Sequence, residues 1–344
     1  MLNNMRKSTR NVLVAIFFIF PVYILIQLFV PVYDSPNPIE IEIPQGATYN
    51  RAVDILAENK LIRDKFLFRT LGKVLGVDRK VRAGYYNFWS SISPFDVFQQ
   101  LRKGKIIEYE ITIVEGDSLP EIGEKLQAKK FISADDFKSL AKDKSLLSSL
   151  DIDAPSLEGY LFPDTYKLPK GARPIDIVKL MVGKLRASYT ADLKAAMTGS
   201  GWNENDVLTL ASIIEKEAEV DSERPIISAV YHNRLRIGMP LQADPTAIYG
   251  VKSSKLRIVS SDLRNRTPYN TYLIKGLPPG PIASPGLKSI KAAIFPAKVQ
   301  YIYFVSRGNG THIFTSSLAE HNEAIRQVRA TAAEKPSDDE KERS

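Results

Sequence analysis

The first strong pattern along the chain is an unbroken apolar run. Between Asn11 and Tyr33 there is no charged residue, and VLVAIFFIFPVYILIQLFVPV is apolar almost throughout. A helix of about 21 such residues matches the ~30 Å hydrocarbon core of a bilayer. Arg6, Lys7 and Arg10 precede the run, and Asp34 and Glu40 follow it. That asymmetry predicts a single-pass anchor over 11–33, with residues 1–10 cytoplasmic and the long remainder exported. No A-x-A-like site follows the run, so an uncleaved anchor is preferred to a removed signal peptide. Tyr23 and Tyr33 are spaced to sit in interfacial belts, and Pro21 is placed to kink the helix.

Beyond a short linker, Ser35–Pro38, a pattern repeats at a spacing of 70 residues. IPQGATYNRAVDILAENKLI from Ile43 matches IVEGDSLPEIGEKLQAKKFI from Ile113, aligning Gly46 with Gly116, Thr48 with Ser118, Leu56 with Leu126 and Ile62 with Ile132. Each copy reads as a strand, a glycine turn, a hydroxyl N-cap and an amphipathic helix. Between the copies the periodicity predicts helices over 64–75 and 94–102, the second capped by Ser93, and strands over 82–88 and 106–114. The order strand, helix, returning strand loosely resembles LysM-type glycan-binding modules; a structural spacer is the rival reading. The region 38–155 is therefore expected to be a membrane-proximal LysM-like repeat region.

Farther on, helical periodicity is expected over 135–150, 174–197, 205–220, 224–235, 289–295 and 318–330, with a hairpin of 300–306 and 312–315 across RGNG. Leu157–Gly171 is too rich in aromatic residues, proline and polar groups for a regular element. It reads as a loop or short strand carrying Glu158, Tyr160, Phe162, Asp164 and Tyr166. Met239–Gly250 is turn-rich, and Thr267–Gly286 is dense in proline and glycine, which suits a fixed wall or lip. The polar tail 331–344 is expected to be disordered. The fold class is α+β: one transmembrane helix, LysM-like small α/β modules, then a mixed α+β catalytic domain over 156–330.

Composition narrows the chemistry. At 344 residues the chain has room for two or three domains. It has no cysteine, which excludes disulfides, Cys-ligated zinc and a cysteine nucleophile. The net charge is +8, but no dense basic stripe with stacking aromatics appears, so a nucleic-acid partner is not expected. There is no G-x-S-x-G and no H-E-x-x-H, the three histidines have no metal-ligand spacing, and no cofactor or metal is expected. His232 reads as a packing or capping residue. Carboxylates remain.

The helix 205–220 carries the most informative one. On a wheel of about 100° per residue, Glu217 falls on the stripe of Val207, Leu210, Ala211, Ile213, Ile214 and Ala218, whereas Glu215 falls opposite, near Leu208 and Ser212. A carboxyl that has lost its water has a raised pKa and holds a proton near neutrality, as a general acid must. The other reading is a Glu at the edge of the stripe, reaching solvent or pairing with an arginine. Cleavage of a glycosidic bond fits an acid–base carboxyl, but the second carboxylate usual in such sites is not singled out among Asp244, Asp164, Glu158 and Asp221.

TLASIIEKEAEVDSERPIISAVYHNRLRIGMPLQADPTAIYG, with EGYLFPDTY, PYNTY, GLPPGPIASPG and YIYFVSRGNGTHIFT, closely resembles the endolytic murein transglycosylase (YceG-like) family. The resemblance is strong over Leu157–His321 and weaker before. It implies a bitopic inner-membrane lyase with its catalytic domain in the periplasm. Such an enzyme cleaves nascent peptidoglycan strands internally, terminates their elongation and meets peptidoglycan synthases at the membrane. The family's acid–base is the second Glu of E-K-E, here Glu217; Ala218 stands where relatives often carry Thr. Its nucleophile is the substrate's own C6 hydroxyl, giving 1,6-anhydroMurNAc ends, so one carboxyl suffices. The expected groove combines LQADPT and YNTY: Gln242, Asp244, Thr246, Tyr269, Asn270 and Tyr272. Tyr166, Tyr269 and Tyr272 are expected as stacking platforms, and the substrate's acetamido group, or a polar residue such as Gln242 or Asn270, as stabiliser of the oxocarbenium-like transition state. A catalytically vestigial scaffold and a lysozyme-like hydrolase are the alternatives.

Overall fold

The computed structural model describes residues 2–32, 37–89, 91–251 and 258–333. Tyr33, Asp34, the first half of the Ser35–Pro38 linker and the tail beyond 333 lie outside the described residues. The chain divides into two compact units. One comprises residues 1–110 with 167–172, the other 111–166 with 173–344. The division at Glu110/Ile111 falls earlier than the expected boundary at 155/156, because the second copy of the repeat is built into the unit that carries Glu217.

The first unit begins with α1, Leu2–Phe29. Its Asn11–Phe29 stretch, 19 residues at a mean hydropathy of 2.7, is long and apolar enough to cross a membrane. There follow β1 (Ile39–Ile43), α2 (Tyr49–Glu58), α3 (Lys65–Val74), β2 (Gly84–Phe88) and α4 (Pro94–Lys103). β1 and β2 pair antiparallel, with Ile41 opposite Tyr86 and Ile39 opposite Phe88. Period-2 alternation turns Ile41, Ile43, Tyr86 and Phe88 inward onto Val53, Leu56, Phe68, Val97 and Leu101. The caps are those the sequence predicts: the Thr48 hydroxyl accepts from Arg51 N at 3.3 Å, and the Ser93 hydroxyl accepts from Asp96 N at 3.1 Å. Tyr49 donates to Phe68 O at 2.9 Å, and its ring occupies the space over Gly72, where a Cβ would lie 2.1 Å from the hydroxyl.

The repeat is real in three dimensions. β3 (Glu108–Ile113) and α5 (Leu119–Ala128) reproduce β1 and α2 in register, with Gly46 at φ 79° and Gly116 at φ 84° in the matching turns. Only glycine takes that left-handed backbone without strain. The copies diverge afterwards. The expected helix 135–150 is two helices, α6 (Ala134–Leu140) and α7 (Lys144–Ser149), because Asp143 caps a new start by accepting from Leu146 N at 2.8 Å. The return strand β4 (Asp164–Pro169) comes late and pairs with β3. It lies within the segment expected to be a loop or short strand.

The second unit continues through α8 (Pro174–Ser188), α9 (Ala191–Ser200), α10 (Glu204–Glu217), α11 (Arg224–Arg236), α12 (Asp244–Ile248), α13 (Leu287–Ile294), β5 (Tyr303–Ser306), β6 (His312–Thr315) and α14 (Leu318–Ala333). The single helix expected over 174–197 breaks at Tyr189, where Thr190 caps α9 by accepting from Leu193 N at 3.3 Å. β5 and β6 form the RGNG hairpin, closed by Arg307 N donating to Thr311 O at 2.8 Å. α10 is the centre of the unit. Every residue from Val207 to Ile214 is buried, so the helix has no solvent face over two turns. Asn203 and Asp206 form a capping box at its start.

Candidate active site

The proline- and glycine-rich stretch before α13 is laid along α10 and held there by polar pegs. Asn205 Nδ2 donates to Pro279 O at 3.1 Å, Ser212 Oγ accepts from Ile282 N at 3.0 Å, and Glu215 Oε2 accepts from Gly286 N at 2.8 Å. The side of α10 opposite the Glu217 stripe, where the wheel sets Glu215, is buried as well. Its side chain is 5% exposed and pairs with Arg224, itself 8% exposed, at 2.9 Å. Arg224 also reaches Asp221 at 3.1 Å. Glu215 therefore anchors the first turn of α13 and neutralises a buried guanidinium. Its place below a helix N-terminus also suits its negative charge.

Glu217 is the last residue of α10, and Ala218 is already extended at φ −87°, ψ 115°. Its side chain leaves the packed helix at the point where the chain turns away, half-buried. Its pKa is pushed up to about 8, first by loss of water and then by the nearby negative charge of Asp244. The negative end of the α10 dipole acts in the same direction. Two groups on α11 oppose the shift, the Tyr231 hydroxyl and the Arg234 guanidinium. They are three residues apart and so share a helix face.

Tyr231 is fully buried, its ring edge-on to Phe304 at 6.0 Å, and its hydroxyl has no hydrogen-bond partner of good geometry among the described residues. Arg234 is also buried. Nε donates to Ile302 O at 2.7 Å, Nη1 donates to Leu241 O at 2.6 Å, and the guanidinium lies 5.5 Å from the centre of the Tyr303 ring. Tyr303 stacks at 4.9 Å on His321, whose Nδ1 is buried without a partner among the described residues.

The two polar motifs are knitted together behind this cluster. Thr246 and Thr271 share a hydroxyl–hydroxyl bond of 2.8 Å, Thr271 Oγ1 accepts from Ala243 N at 2.9 Å, and Gln242 N donates to Thr271 O at 3.1 Å. This frame presents Asp244, the first residue of α12, to the Tyr272 hydroxyl at 2.5 Å. Burial pushes the Tyr272 hydroxyl pKa up, and the negative charges of Asp244 and Glu217 act in the same direction. Gln242 is exposed with φ 49°, a left-handed backbone rarely taken by a residue with a side chain.

Other residues expected in the groove lie elsewhere. Thr246 is buried in the frame. Asn270 is fully buried and spent on structure: Nδ2 donates to Leu263 O and Asn265 O, and Oδ1 accepts from Tyr272 N at 3.0 Å. It is a brace and has no amide left for a sugar. Tyr166 is a core residue of β4, its hydroxyl donating to Phe162 O at 2.6 Å, so it offers no free ring face. Tyr269 packs on Tyr249 at 4.6 Å. That pair belongs to Glu158, which is buried, accepts from Leu119 N at 3.1 Å and from the Tyr249 hydroxyl at 2.8 Å, and has its pKa pushed up to about 7 by burial. Glu158 thus caps α5 and does not face Glu217. Asp164 and Asp221 pair with Lys184 and Arg224. His232 packs as expected, stacked on Trp202 at 4.9 Å with Nε2 2.8 Å from Ala293 O.

Sequence reading missed Tyr231 and Arg234. The available signal was two polar groups, three residues apart, on a buried face of α11.

Fold and site together set one half-buried Glu of raised pKa near a cation, tyrosines and a second carboxylate, in a mixed α and β protein with an apolar amino-terminal helix. The chain belongs to the YceG-like family, which matches residues 41–327. A relative from Bacillus subtilis named endolytic murein transglycosylase is 33% identical over 318 residues, covering 88% of each chain. One of the same name from Streptococcus pneumoniae is 29% identical over 322 residues; the match spans 83% of this chain and 57% of that longer one. The crystal structure of a YceG-like protein from Listeria monocytogenes superposes with a TM-score of 0.58 at 30% identity, covering 84% of this chain and 99% of the other.

Proposed function

We propose that the chain is an endolytic lytic transglycosylase of peptidoglycan, with Glu217 as its single general acid and base. The observation that carries this reading is a half-buried carboxyl at the end of α10 whose pKa is pushed up to about 8, beside Asp244 and Arg234. In the protonated form it gives its proton to the glycosidic oxygen as the bond to C1 of N-acetylmuramic acid breaks. The resulting carboxylate is favoured by Arg234 and the Tyr231 hydroxyl. It then takes the proton of the substrate's C6 hydroxyl as O6 closes on C1. The proton count is restored, the ring ends as 1,6-anhydroMurNAc, and no water is consumed. Acid–base assistance of this kind is worth ~10²–10⁴-fold. Gln242 and Tyr272, at the open side of the frame, are the proposed contacts for the sugar.

The family membership and the relatives' names support the substrate class. Asp244 favours a second reading, a lysozyme-like hydrolase in which it activates water. Mass spectrometry of digested glycan strands separates the two: anhydro ends for the lyase, reducing ends for the hydrolase. Loss of all cleavage in Glu217→Gln, with the fold intact, excludes a scaffold role. The arrangement β1–α2–α3–β2 supports a LysM-like strand-holding role for the first unit. The apolar α1 with Arg6, Lys7 and Arg10 before it supports anchoring in the inner membrane with both units on the periplasmic side. There the enzyme would meet new strands and their synthases, and internal cleavage would terminate elongation.

A further inference from the structure

The first unit grips the end of its own apolar helix. The Tyr23 hydroxyl donates to Asp64 Oδ2 at 2.5 Å, Arg63 donates through Nη1 and Nη2 to Val30 O and Pro31 O at 2.7 Å each, and the rings of Phe29 and Phe95 lie 5.1 Å apart. These contacts fix where the unit stands relative to a bilayer. The charges at Arg6, Lys7 and Arg10 bar the hydrocarbon from extending much before Asn11. If the span ended at Tyr23, its 13 residues would cover only ~20 Å. The hydrocarbon core is ~30 Å thick. The helix therefore needs the turns up to Phe29 to cross, and Tyr23 lies ~9 Å below that end at 1.5 Å per residue. A unit that holds Tyr23 at one position and Val30 and Pro31 at the next cannot stand clear of the membrane surface.

Two residues after Asp64, at the start of α3, Phe66 is 79% exposed. The exposed cations Arg63 and Lys65 stand just before it in the chain, Lys65 pairing with Asp54 at 2.9 Å. An aromatic ring beside cations is a composition that settles at the boundary of headgroups and acyl chains.

We propose that the amino-terminal end of α3 is a membrane-surface contact: Phe66 inserts into the interface of the bilayer that α1 crosses, with Arg63 and Lys65 among its headgroups. The first unit is then seated on the membrane and does not swing on a tether. The proposal rests on α1 being a membrane span.

The chain has no cysteine, so Phe66→Cys creates its only thiol. The full-length variant, labelled there with an environment-sensitive fluorophore and reconstituted in phosphatidylglycerol–phosphatidylethanolamine vesicles, should show blue-shifted emission. It should lose fluorescence to lipids spin-labelled near the headgroup and resist aqueous iodide. Lys138→Cys, an exposed position in the second unit, should behave oppositely. Phe18→Cys, in the middle of the apolar run, should be quenched by lipids spin-labelled deep in the acyl chain. A deep Phe18 label with an iodide-accessible Phe66 label would overturn the seating while leaving the span intact. A water-exposed Phe18 label would overturn both.

Discussion

At the scale of single residues, the site is governed by one proton. Glu217 sits where burial, the α10 dipole and Asp244 all disfavour its charge, and where Tyr231 and Arg234 partly restore it. The basic limb of kcat/KM should therefore fall near pH 8, because the free enzyme must hold the proton before it can donate it. Asp244→Asn removes a negative neighbour, so Glu217 should ionise more easily and the limb should move to lower pH. Tyr231→Phe removes a group that favours the charged form and should move it to higher pH. The same carboxyl sets a stability trend. Below its ordinary value of 4.5, folded and unfolded chains both hold the proton; between there and about 8 only the folded chain does, so stability falls as pH rises across that window. Glu217→Gln should flatten that fall in urea titrations followed from pH 5 to pH 8.5.

Elements explain why two glutamates two residues apart differ. Glu215 and Glu217 both leave α10 near its end, but Glu215 turns into the packing against α13 and Arg224, and Glu217 turns out of it. Breaking a buried pair from one side costs ~3–5 kcal/mol, so Glu215→Gln should lower the melting temperature markedly in calorimetry, while Glu217→Gln should not. Gly72→Ala should destabilise the first unit by ~1–3 kcal/mol in chemical denaturation, since the added methyl overlaps the Tyr49 ring.

Local chemistry made many elements legible. Thr48, Ser93 and Ser118 announce their helices, the repeat carries the first strand and helix of each copy, and RGNG announces the hairpin. The wheel singled out Glu217 from a premise the structure does not share: α10 is buried on all sides, so periodicity could not tell Glu215 from Glu217. The breaks at Tyr189 and Asp143 were illegible because their flanks keep helical periodicity, and only the caps that reset the helices reveal them. Asn270 and Thr246 were recognisable as polar residues in a special loop. Whether such a residue braces the loop or faces substrate depends on partners distant in sequence.

For the molecule as a whole, the sequence repeat and the compact units obey different rules. The repeat places two matching βα segments 70 residues apart, from Ile43 and Ile113, yet the first is built into the unit with α1 and the second, from Ile111 onward, into the unit with α10. The two matching strand–helix segments therefore serve different units, which an alignment of two segments cannot reveal. Two units with separate cores also allow a whole-molecule separation of roles, with placement on the membrane in the first and chemistry in the second. The account stands most directly on the products of that chemistry. Purified glycan strands incubated with the full chain should yield internal fragments ending in 1,6-anhydroMurNAc by mass spectrometry, and Glu217→Gln, folded and as thermostable as the parent, should yield none. Fragments with reducing ends, or anhydro ends that persist undiminished in Glu217→Gln, would contradict it.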